Sequence, residues 1–202
     1  RQVSSAASDV YKRQKQDFKA MNKLEVLHFP DKRLRKIAVP VKKVDNEIKN
    51  IIEQMFLTMY EEKGIGLAAT QVNIHKRIIV IDVSENKDKK IFLINPEIIS
   101  LSDDIDTMEE GCLSVPGFYE TVSRPKTVKV SSLNYDGKQI EIEANGLLST
   151  CIQHEIDHLN GKLFVDHISS LKRSRIEKKI TKLKKEGAVP TRKSTPNYKS
   201  AI

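Results

Sequence analysis

The sequence predicts an α+β fold, in which mostly antiparallel strands surround a central buried helix and a further helix lies near the C-terminal end. Two patterns carry this prediction. Short runs rich in β-branched residues are separated by polar turns, which is typical of antiparallel hairpins. Longer stretches place apolar residues at helical spacing and end at glycines. A chain of 202 residues is long enough to form one domain with a substantial core.

The predicted strands form two hairpins. Residues 77–83 and 91–94 are β-branched runs joined by a turn rich in lysine, aspartate and asparagine, so we expect them to pair. Residues 127–133 and 139–143 flank an Asp-Gly pair at 136–137, which is a strong signal for a tight hairpin turn. Both hairpins make neighbouring strands antiparallel.

Three stretches are predicted to be helical. Asp45 can cap the start of the first, and Gly64 and Gly66 are expected to end it. Asn145 can cap the second, and Gly161 is placed as its C-terminal stop. The third is rich in lysine and arginine, and its apolar residues are expected to pack against the body: Leu171, Ile176, Ile180 and Leu183. The predicted helices cover residues 45–62, 146–160 and 169–185.

Composition narrows the classes of function. No apolar run approaches the roughly 18 residues that a membrane-spanning helix needs, so a membrane protein is not expected. Two cysteines, Cys112 and Cys151, do not make the disulfide framework of a small secreted protein, although their number permits one disulfide. A reducing compartment, in which both thiols stay free, fits better.

The net charge of +8 is concentrated at the two ends of the chain. Residues 1–20 carry five basic and two acidic side chains, residues 172–202 carry eleven and two, and residues 21–171 carry nineteen and twenty-three. A protein that binds duplex DNA normally has its basic patch on the folded body, so this class is not expected. The basic C-terminal end favours either a solvated extension or attraction to an anionic partner such as ribosomal RNA.

Both ends are predicted to lie outside the folded domain. Residues 1–20 are polar, and Met21 is followed at once by alternating apolar residues, so we expect 1–20 to be a non-native or disordered leader. An organellar transit peptide is the alternative, which Asp9 and Asp17 disfavour because they interrupt its basic pattern. Residues 187–202 are rich in proline, serine, threonine and lysine and are expected to be a disordered basic tail.

The strongest chemical signal is the segment HEIDH at 154–158. Residues four apart on a helix lie on the same face, so the imidazoles of His154 and His158 can reach one metal ion. Glu155 can point toward water at that metal, and the segment thus supplies two ligands and a general base. Chance pairing of two surface histidines is the alternative, which the apolar neighbours weaken because they bury the helix.

A catalytic metal site needs a third protein ligand, and two cysteines are candidates. Cys151 lies three residues before His154 and shares its helical face. Cys112 lies in an irregular stretch, 109–117, bounded by glycine and proline, from which a thiolate can approach with more freedom of direction. Geometry gives Cys112 a modest lead, because a third ligand usually comes from a separate segment.

Residues 64–72 contain two glycines spaced by one residue. This is a weak signal for a phosphate-binding loop, and no P-loop lysine follows it. A helix stop followed by close packing explains the small residues equally well. Gln71 adds an amide donor at the end of a run that allows close approach of a ligand to the backbone.

These segments together resemble a known family. GIGLAATQV at 64–72, EGCLSVPG at 110–117 and QHEIDHLNG at 153–161 resemble, in order, the three signature motifs of bacterial-type peptide deformylases. The resemblance extends from residue 21 to about 183 and implies an α+β catalytic domain, over residues 21–186, around a metal-binding helix. It implies a bacterial cytoplasmic enzyme that removes the formyl group from N-terminal formyl-methionine of nascent polypeptides and releases formate.

The resemblance also implies a cofactor and a ligand set. One divalent metal ion is expected, Fe2+ in the cell, with Zn2+, Ni2+ or Co2+ accepted in preparations. The implied metal ligands are Cys112, His154 and His158, which moves Cys151 out of the ligand set. The implied methionine pocket contains Ile65, Leu147 and Cys151.

The resemblance implies catalytic roles for four further residues. Glu155 is the general base and acid, which takes a proton so that metal-bound hydroxide attacks the formyl carbon. Gln71 and the backbone N–H of Leu113 stabilise the charge that develops on the formyl oxygen. Gly66 is expected to meet the substrate's amide through its backbone.

Two alternatives for the function, and two for the basic helix, remain at this stage. A zinc endopeptidase shares the His-Glu-x-x-His helix, but it would need a third ligand downstream, where only the histidine His167 follows. We interpret the three histidines that belong to no motif as surface or ordinary core residues: His28, His75 and His167. An inactive deformylase-like module that binds the ribosome is disfavoured by the intact Glu155 and Gln71. The basic helix at 169–185 is expected either to contact ribosomal RNA or to be solvated without a partner.

Overall fold

The computed structural model describes residues 22–188. The predicted leader at 1–20 lies outside the described residues, as does the predicted tail except for its first two positions. The described chain contains two antiparallel sheets, three α-helices and three short 3-10 helices. The predicted α+β class, with its C-terminal helix, is confirmed.

The three α-helices lie within a residue or two of the predicted ranges. They are α1 (Asn46–Glu61), α2 (Gly146–Leu159) and α3 (Ser170–Lys185). Asp45 caps α1 as predicted, because its carboxylate accepts a hydrogen bond from the backbone N–H of Ile48 at 3.1 Å. Asn145 takes the predicted N-cap position of α2, although its side chain makes no capping hydrogen bond. At the end of α1 the left-handed conformation is taken by Lys63, with φ of 57°, before the predicted glycine Gly64.

Seven strands within residues 22–188 divide between the two sheets. They are β1 (Gly66–Ala68), β2 (Ile78–Ile81), β3 (Ile91–Leu101), β4 (Ile105–Cys112), β5 (Val115–Pro125), β6 (Thr127–Leu133) and β7 (Gln139–Asn145). The larger sheet has the order β1-β2-β3-β6-β7, and β4 pairs with β5 in a separate sheet. Both predicted hairpins are confirmed, and β3 continues beyond its predicted end at Ile94. Since β1 is an edge strand, one row of its backbone groups is unpaired within the sheet.

The stretch predicted as irregular, 109–117, is a strand, a two-residue turn and a second strand. Cys112 is the last residue of β4, and Leu113 and Ser114 form the turn into β5. The register shifts after Gly111, which pairs with Tyr119, whereas Cys112 pairs with Val115. The prediction failed because glycine and proline in this segment break the usual strand pattern, and the pairing comes from tertiary structure.

The larger sheet lies between two helices, which explains the continuous apolar run of β2. Ile78 and Val80 pack with α1 in one cluster, whereas Ile79 and Ile81 pack with α2 in another. A strand covered on both faces carries apolar residues at every position. Ten of the residues of α2 are buried, so the prediction of a central buried helix is confirmed.

The helix α3 packs on the short 3-10 helix Phe164–Asp166 and shares a buried cluster with the β4–β5 sheet. Its residues Ile176 and Ile180 are buried in a cluster that also contains Cys112, Val115 and Phe164. Leu171 was predicted to face the body but is 60% exposed. Its position in the first turn of α3 carries it past the edge of the body. Among the described residues, no helix is both long and apolar enough to cross a membrane.

Candidate metal centre

Three predicted ligands converge in the interior. Cys112 Sγ lies 3.2 Å from His158 Nε2, which lies 3.2 Å from His154 Nε2. All three ligand atoms lie within 4.8 Å of one another, and all three residues are buried. Metal bonds of roughly 2.0–2.3 Å to nitrogen and sulfur would separate tetrahedral ligand atoms by roughly 3.3–3.7 Å. The two observed separations of 3.2 Å lie just below this range, so the three atoms are close enough to hold a single ion.

The chemistry of these donors also fits a metal. A thiolate with two imidazoles suits Fe2+, Co2+, Ni2+ or Zn2+ and disfavours Mg2+ and Ca2+, which prefer oxygen. Burial and the neighbouring positive charges lower the pKa of His158 well below its ordinary value. Burial alone would lower the pKa of His154 as well, but its hydrogen bonds with Cys112 and Glu110 outweigh burial and raise that pKa. Two elements build the group, since the histidines come from one face of α2 and the cysteine from the end of β4.

Cys151 lies outside this group. Its thiol points to the backbone oxygen of Ile65, 3.8 Å away, and burial raises its pKa well above the ordinary value. The thiol is therefore neutral and behaves as a small apolar side chain. The structure thus brings Cys112, and not Cys151, together with His154 and His158.

Glu155 lies beside the three ligands in a tightly packed site. Burial raises its pKa to about 7. Its Oε2 has no hydrogen-bond partner among the described residues. A Cβ atom on Gly66 would lie 2.4 Å from Glu155 Oε1 and 2.7 Å from Cys151 Sγ. Any larger residue at this position would have to displace one of these side chains, so the glycine leaves space for the carboxylate.

Two hydrogen bonds orient the side chain of Gln71. Its Oε1 accepts a hydrogen bond from the N–H of Ala68 at 2.7 Å. Its Nε2 donates to Ser114 Oγ at 3.1 Å and faces Cys112 Sγ at 3.5 Å. The amide therefore presents its N–H groups toward the ligand thiol. Ser114 was not predicted as a site residue, although it lies two positions after Cys112 in the same motif.

A cleft opens onto these groups. It is lined by nine of the ten predicted site residues: Ile65, Gly66, Gln71, Cys112, Leu113, Leu147, Cys151, His154 and Glu155. His158 lies behind the cleft wall, where it contacts Cys112 and His154. Met108 and Thr150 also line the cleft and were not predicted, because neither belongs to a motif with known chemistry.

Two buried charged residues near the ligands were also missed. Glu110 accepts hydrogen bonds from both His154 and Arg124, and burial alone would raise its pKa, yet these bonds lower it to about 2. Arg124 follows Glu110 by fourteen positions and belongs to none of the three motifs. Only Glu110 had a signal in the sequence, since it begins the EGCLSVPG motif. His28 and His75 lie outside the three-ligand group, and His167 contacts Asp157.

Comparisons with known proteins agree on one family. The polypeptide deformylase family model matches residues 23–174. The peptide deformylase 1 of Pseudomonas syringae pv. tomato is 58% identical over 165 residues, which are 82% of this chain and 98% of that protein. The peptide deformylase of Pseudomonas aeruginosa shows the same identity and coverage.

Solved structures give the same result. A crystal structure of a peptide deformylase from Legionella pneumophila superposes with a TM-score of 0.77 at 48% identity, covering 82% of this chain and 98% of that one. The peptide deformylase from Ehrlichia chaffeensis in complex with actinonin gives a TM-score of 0.77 at 41% identity, covering 80% and 98%.

Proposed function

This chain belongs to the peptide deformylase family, and we propose from that premise how its own residues carry out the reaction. The protein is a metal-dependent hydrolase that removes the formyl group from N-terminal formyl-methionine of nascent polypeptides and releases formate. One observation carries the assignment of residues. Cys112, His154 and His158 converge on one point, and a buried carboxylate, Glu155, stands beside it.

Cys112, His154 and His158 would hold one divalent ion, which we propose is Fe2+ in the cell. When bound, such an ion supplies Lewis acidity, which polarises a carbonyl and makes water more acidic. The soft and borderline donors support Fe2+ and equally admit Zn2+, Ni2+ and Co2+.

Glu155 moves the proton in this proposal. With a pKa of about 7, its carboxylate can accept a proton from the attacking water and pass it to the amine that departs. The water-poor surroundings that raise this pKa also keep the proton from being lost to solvent. The products are then formate and a free N-terminal methionine.

Two donors would stabilise the charge on the formyl oxygen. The amide of Gln71 is held by Ala68 and Ser114, so it is oriented before the substrate arrives. The backbone N–H of Leu113 comes from the turn directly after Cys112. Donors fixed in advance are the most effective stabilisers of a developing charge, because they need no reorganisation.

The cleft would bind both the peptide backbone and the methionine side chain of the substrate. Gly66 lies on the edge strand β1, whose unpaired backbone groups can hydrogen-bond to an extended peptide. Ile65, Leu147 and the neutral thiol of Cys151 offer an apolar surface to the methionine side chain. Exclusion by size in this tight site favours formyl over longer acyl groups.

Metal removal tests this function. Dialysis of the full chain against a chelator should abolish formate release from a formyl-Met tripeptide, and one equivalent of Fe2+ or Co2+ should restore it. Metal content is measured alongside by elemental analysis. Formate release that persists in protein shown to be free of metal would overturn the proposal. The rival assignment as a zinc endopeptidase lacks support, because Cys112 lies upstream of the helix.

We further propose that α3 contacts ribosomal RNA and that the enzyme works in the bacterial cytoplasm. Ile176 and Ile180 attach this helix to the body. Its basic residues point outward or lie at its margins: Lys172, Arg173, Arg175, Lys178, Lys179, Lys182, Lys184 and Lys185. Some of this charge is already paired, since Lys172 contacts Glu120 at 2.7 Å and Arg173 contacts Asp166 at 2.9 Å.

The ribosome proposal is tested by co-sedimentation at rising salt. Changing Arg175, Lys178, Lys184 and Lys185 to glutamate should abolish binding at low salt, because contacts with phosphates act by counterion release. Changing four lysines of the body to glutamate, at Lys42, Lys43, Lys87 and Lys89, gives a control of equal charge. Unchanged binding of the α3 variant would leave the enzyme assignment intact and refute the contact.

We also propose that residues 21–186 are the whole catalytic domain. The family match over residues 23–174 lies within these limits. A chain lacking residues 1–20 and 187–202 should release formate from the tripeptide at the rate of the full chain. A large loss of turnover would mean that one of the removed segments contributes to the site.

A further inference from the structure

The second ring nitrogen of His154 has a specific partner. While Nε2 faces His158, Nδ1 lies 2.8 Å from Oε2 of Glu110 on β4. An imidazole that offers Nε2 to a metal carries its proton on Nδ1, and a carboxylate is the strongest acceptor for that proton. Glu110 therefore fixes both the tautomer and the orientation of the ring.

Glu110 is in turn held by Arg124 of β5. The Arg124 Nη2 donates to Glu110 Oε2 at 3.0 Å, and Nε donates to the other carboxylate oxygen. Both side chains are buried, with exposed fractions of 4% and 7%. A two-point bond of this kind restricts the carboxylate more than a single bond does, because it defines the plane of the group.

The guanidinium of Arg124 also forms a hydrogen bond with α2, the helix that carries the two histidine ligands. Arg124 Nη1 donates to Asp157 Oδ2 at 2.8 Å, and Asp157 lies on α2 between His154 and His158 in the sequence. The same oxygen of Asp157 lies 2.8 Å from Nε2 of the half-exposed His167. The chain of contacts thus joins β4, β5 and α2 and runs from the ligand His154 to the surface.

We propose that Arg124 is a positioning residue for the metal centre, a proposal that rests on the ligand set of the proposed function. Arg124 acts on His154 through Glu110 and determines how tightly the ion is held. Without its guanidinium, Glu110 would be an unpaired buried carboxylate, which is strongly unfavourable. Glu110 would then reorient, and His154 would lose its fixed acceptor. Loss of such a partner of a ligand typically weakens metal binding by about 10–100-fold.

The test measures metal affinity in the full chain with Co2+ as the probe. The dissociation constant is obtained by competition with a chelator, and the visible absorption of bound Co2+ reports its coordination. Arg124→Met should weaken Co2+ binding by about 10–100-fold and alter the spectrum. Arg124→Lys, which keeps a charge but not the two-point geometry, should lie between it and the unaltered protein. Unchanged affinity in both variants would overturn the proposal.

A double variant separates positioning from a merely structural role. Glu110→Gln combined with Arg124→Met leaves no unpaired charge at position 110, so part of the resistance to denaturant should return, although Asp157 still lacks its bond to the guanidinium. The affinity for Co2+ should stay low, because the acceptor of His154 is no longer held. Affinity that recovers together with stability would overturn the proposal.

Two further variants complete the design. Arg35→Met removes a partly exposed ion pair, with Asp166, which touches none of the ligands, and it should leave the affinity for Co2+ unchanged. An equal loss of affinity in Arg35→Met would overturn the proposal, since general destabilisation would explain both. His154→Ala should lose Co2+ binding. If it does not, the ligand set itself is wrong, whereas loss in His154→Ala without loss in Arg124→Met refutes only the role of Arg124.

Discussion

The helix α2 and the β4–β5 sheet supply the metal centre from opposite sides, and they differ in how their contributions are encoded. α2 provides His154, Glu155 and His158 within five consecutive residues. The sheet provides Cys112, Glu110 and Arg124, which come together only when the two strands pair and dock on the helix. Helical periodicity places a local motif on one face, whereas a sheet contribution depends on register and on contacts between distant segments.

The difference has a physical consequence for function. The helix is buried on nearly all sides and holds its groups by main-chain hydrogen bonds. The sheet is two-stranded, and such a hairpin has little stability of its own, so it depends on packing and on the buried ion pair. We expect substitutions in the motif of the helix to remove chemistry, whereas substitutions on the sheet, apart from the ligand Cys112, should loosen geometry.

The largest effect is expected on the helix side, at Glu155. Glu155→Ala should retain the metal, because the carboxylate is not a ligand, yet turnover should fall by at least about 10²–10⁴-fold, since the general base is lost. Formate release and metal content are measured on the same preparation. Normal turnover of the metal-loaded variant would contradict the role assigned to this residue.

The two cysteines compare the sheet and the helix directly. Cys112→Ser replaces a thiolate ligand by a weak neutral donor, so metal affinity should fall. The fall should exceed the factor of about 10–100 that is typical when a hydrogen-bond partner of a ligand is removed. Cys151→Ser, on the helix, should keep the metal and change mainly KM for formyl-Met peptides. The opposite result would move the third ligand onto α2.

This comparison also shows how far the sequence could predict the site. The pair of histidines was identified by spacing alone, because four residues on a helix bring both rings to one face. The choice between Cys112 and Cys151 could not be made that way, since the first depends on a long-range contact. Resemblance to a family favoured Cys112, and the structure brings that thiol to the two histidines.

Other features had no local signal at all. The strands β4 and β5 were missed, because their glycines, prolines and acidic residues resemble a loop when pairing is unknown. Arg124 is one arginine among many in the sequence, and only the fold shows that it is buried against Glu110. The helices and the two predicted hairpins succeeded because apolar period and turn residues act within a few positions.

A third prediction concerns the contact of β1 with α2. In Gly66→Ala, the new Cβ atom would lie 2.4 Å from Glu155 Oε1 and 2.7 Å from Cys151 Sγ, which is too close for either contact. We expect turnover to fall by about 10²-fold, because Glu155 is displaced, and stability to fall by roughly 1–3 kcal/mol. Gly64→Ala is the matched variant, since its Cβ would meet the apolar side chain of Leu113 and not a catalytic group, and its loss should be smaller.

The smallest effect is expected at Ser114, on the sheet side. Ser114→Ala removes the acceptor of Gln71 Nε2 but leaves the bond from Ala68 N–H to Gln71 Oε1, so the amide keeps one of two restraints. A neutral hydrogen bond contributes about 1 kcal/mol, which corresponds to about a fivefold loss in kcat/KM. The matched variant on the helix is Ser149→Ala, which removes a buried hydroxyl that bonds to Gln153 and should lower stability without changing turnover. If Ser114→Ala lost as much activity as Gln71→Ala, the hydroxyl would act on the substrate itself; if Ser114→Ala lost none, Ala68 alone would orient the amide.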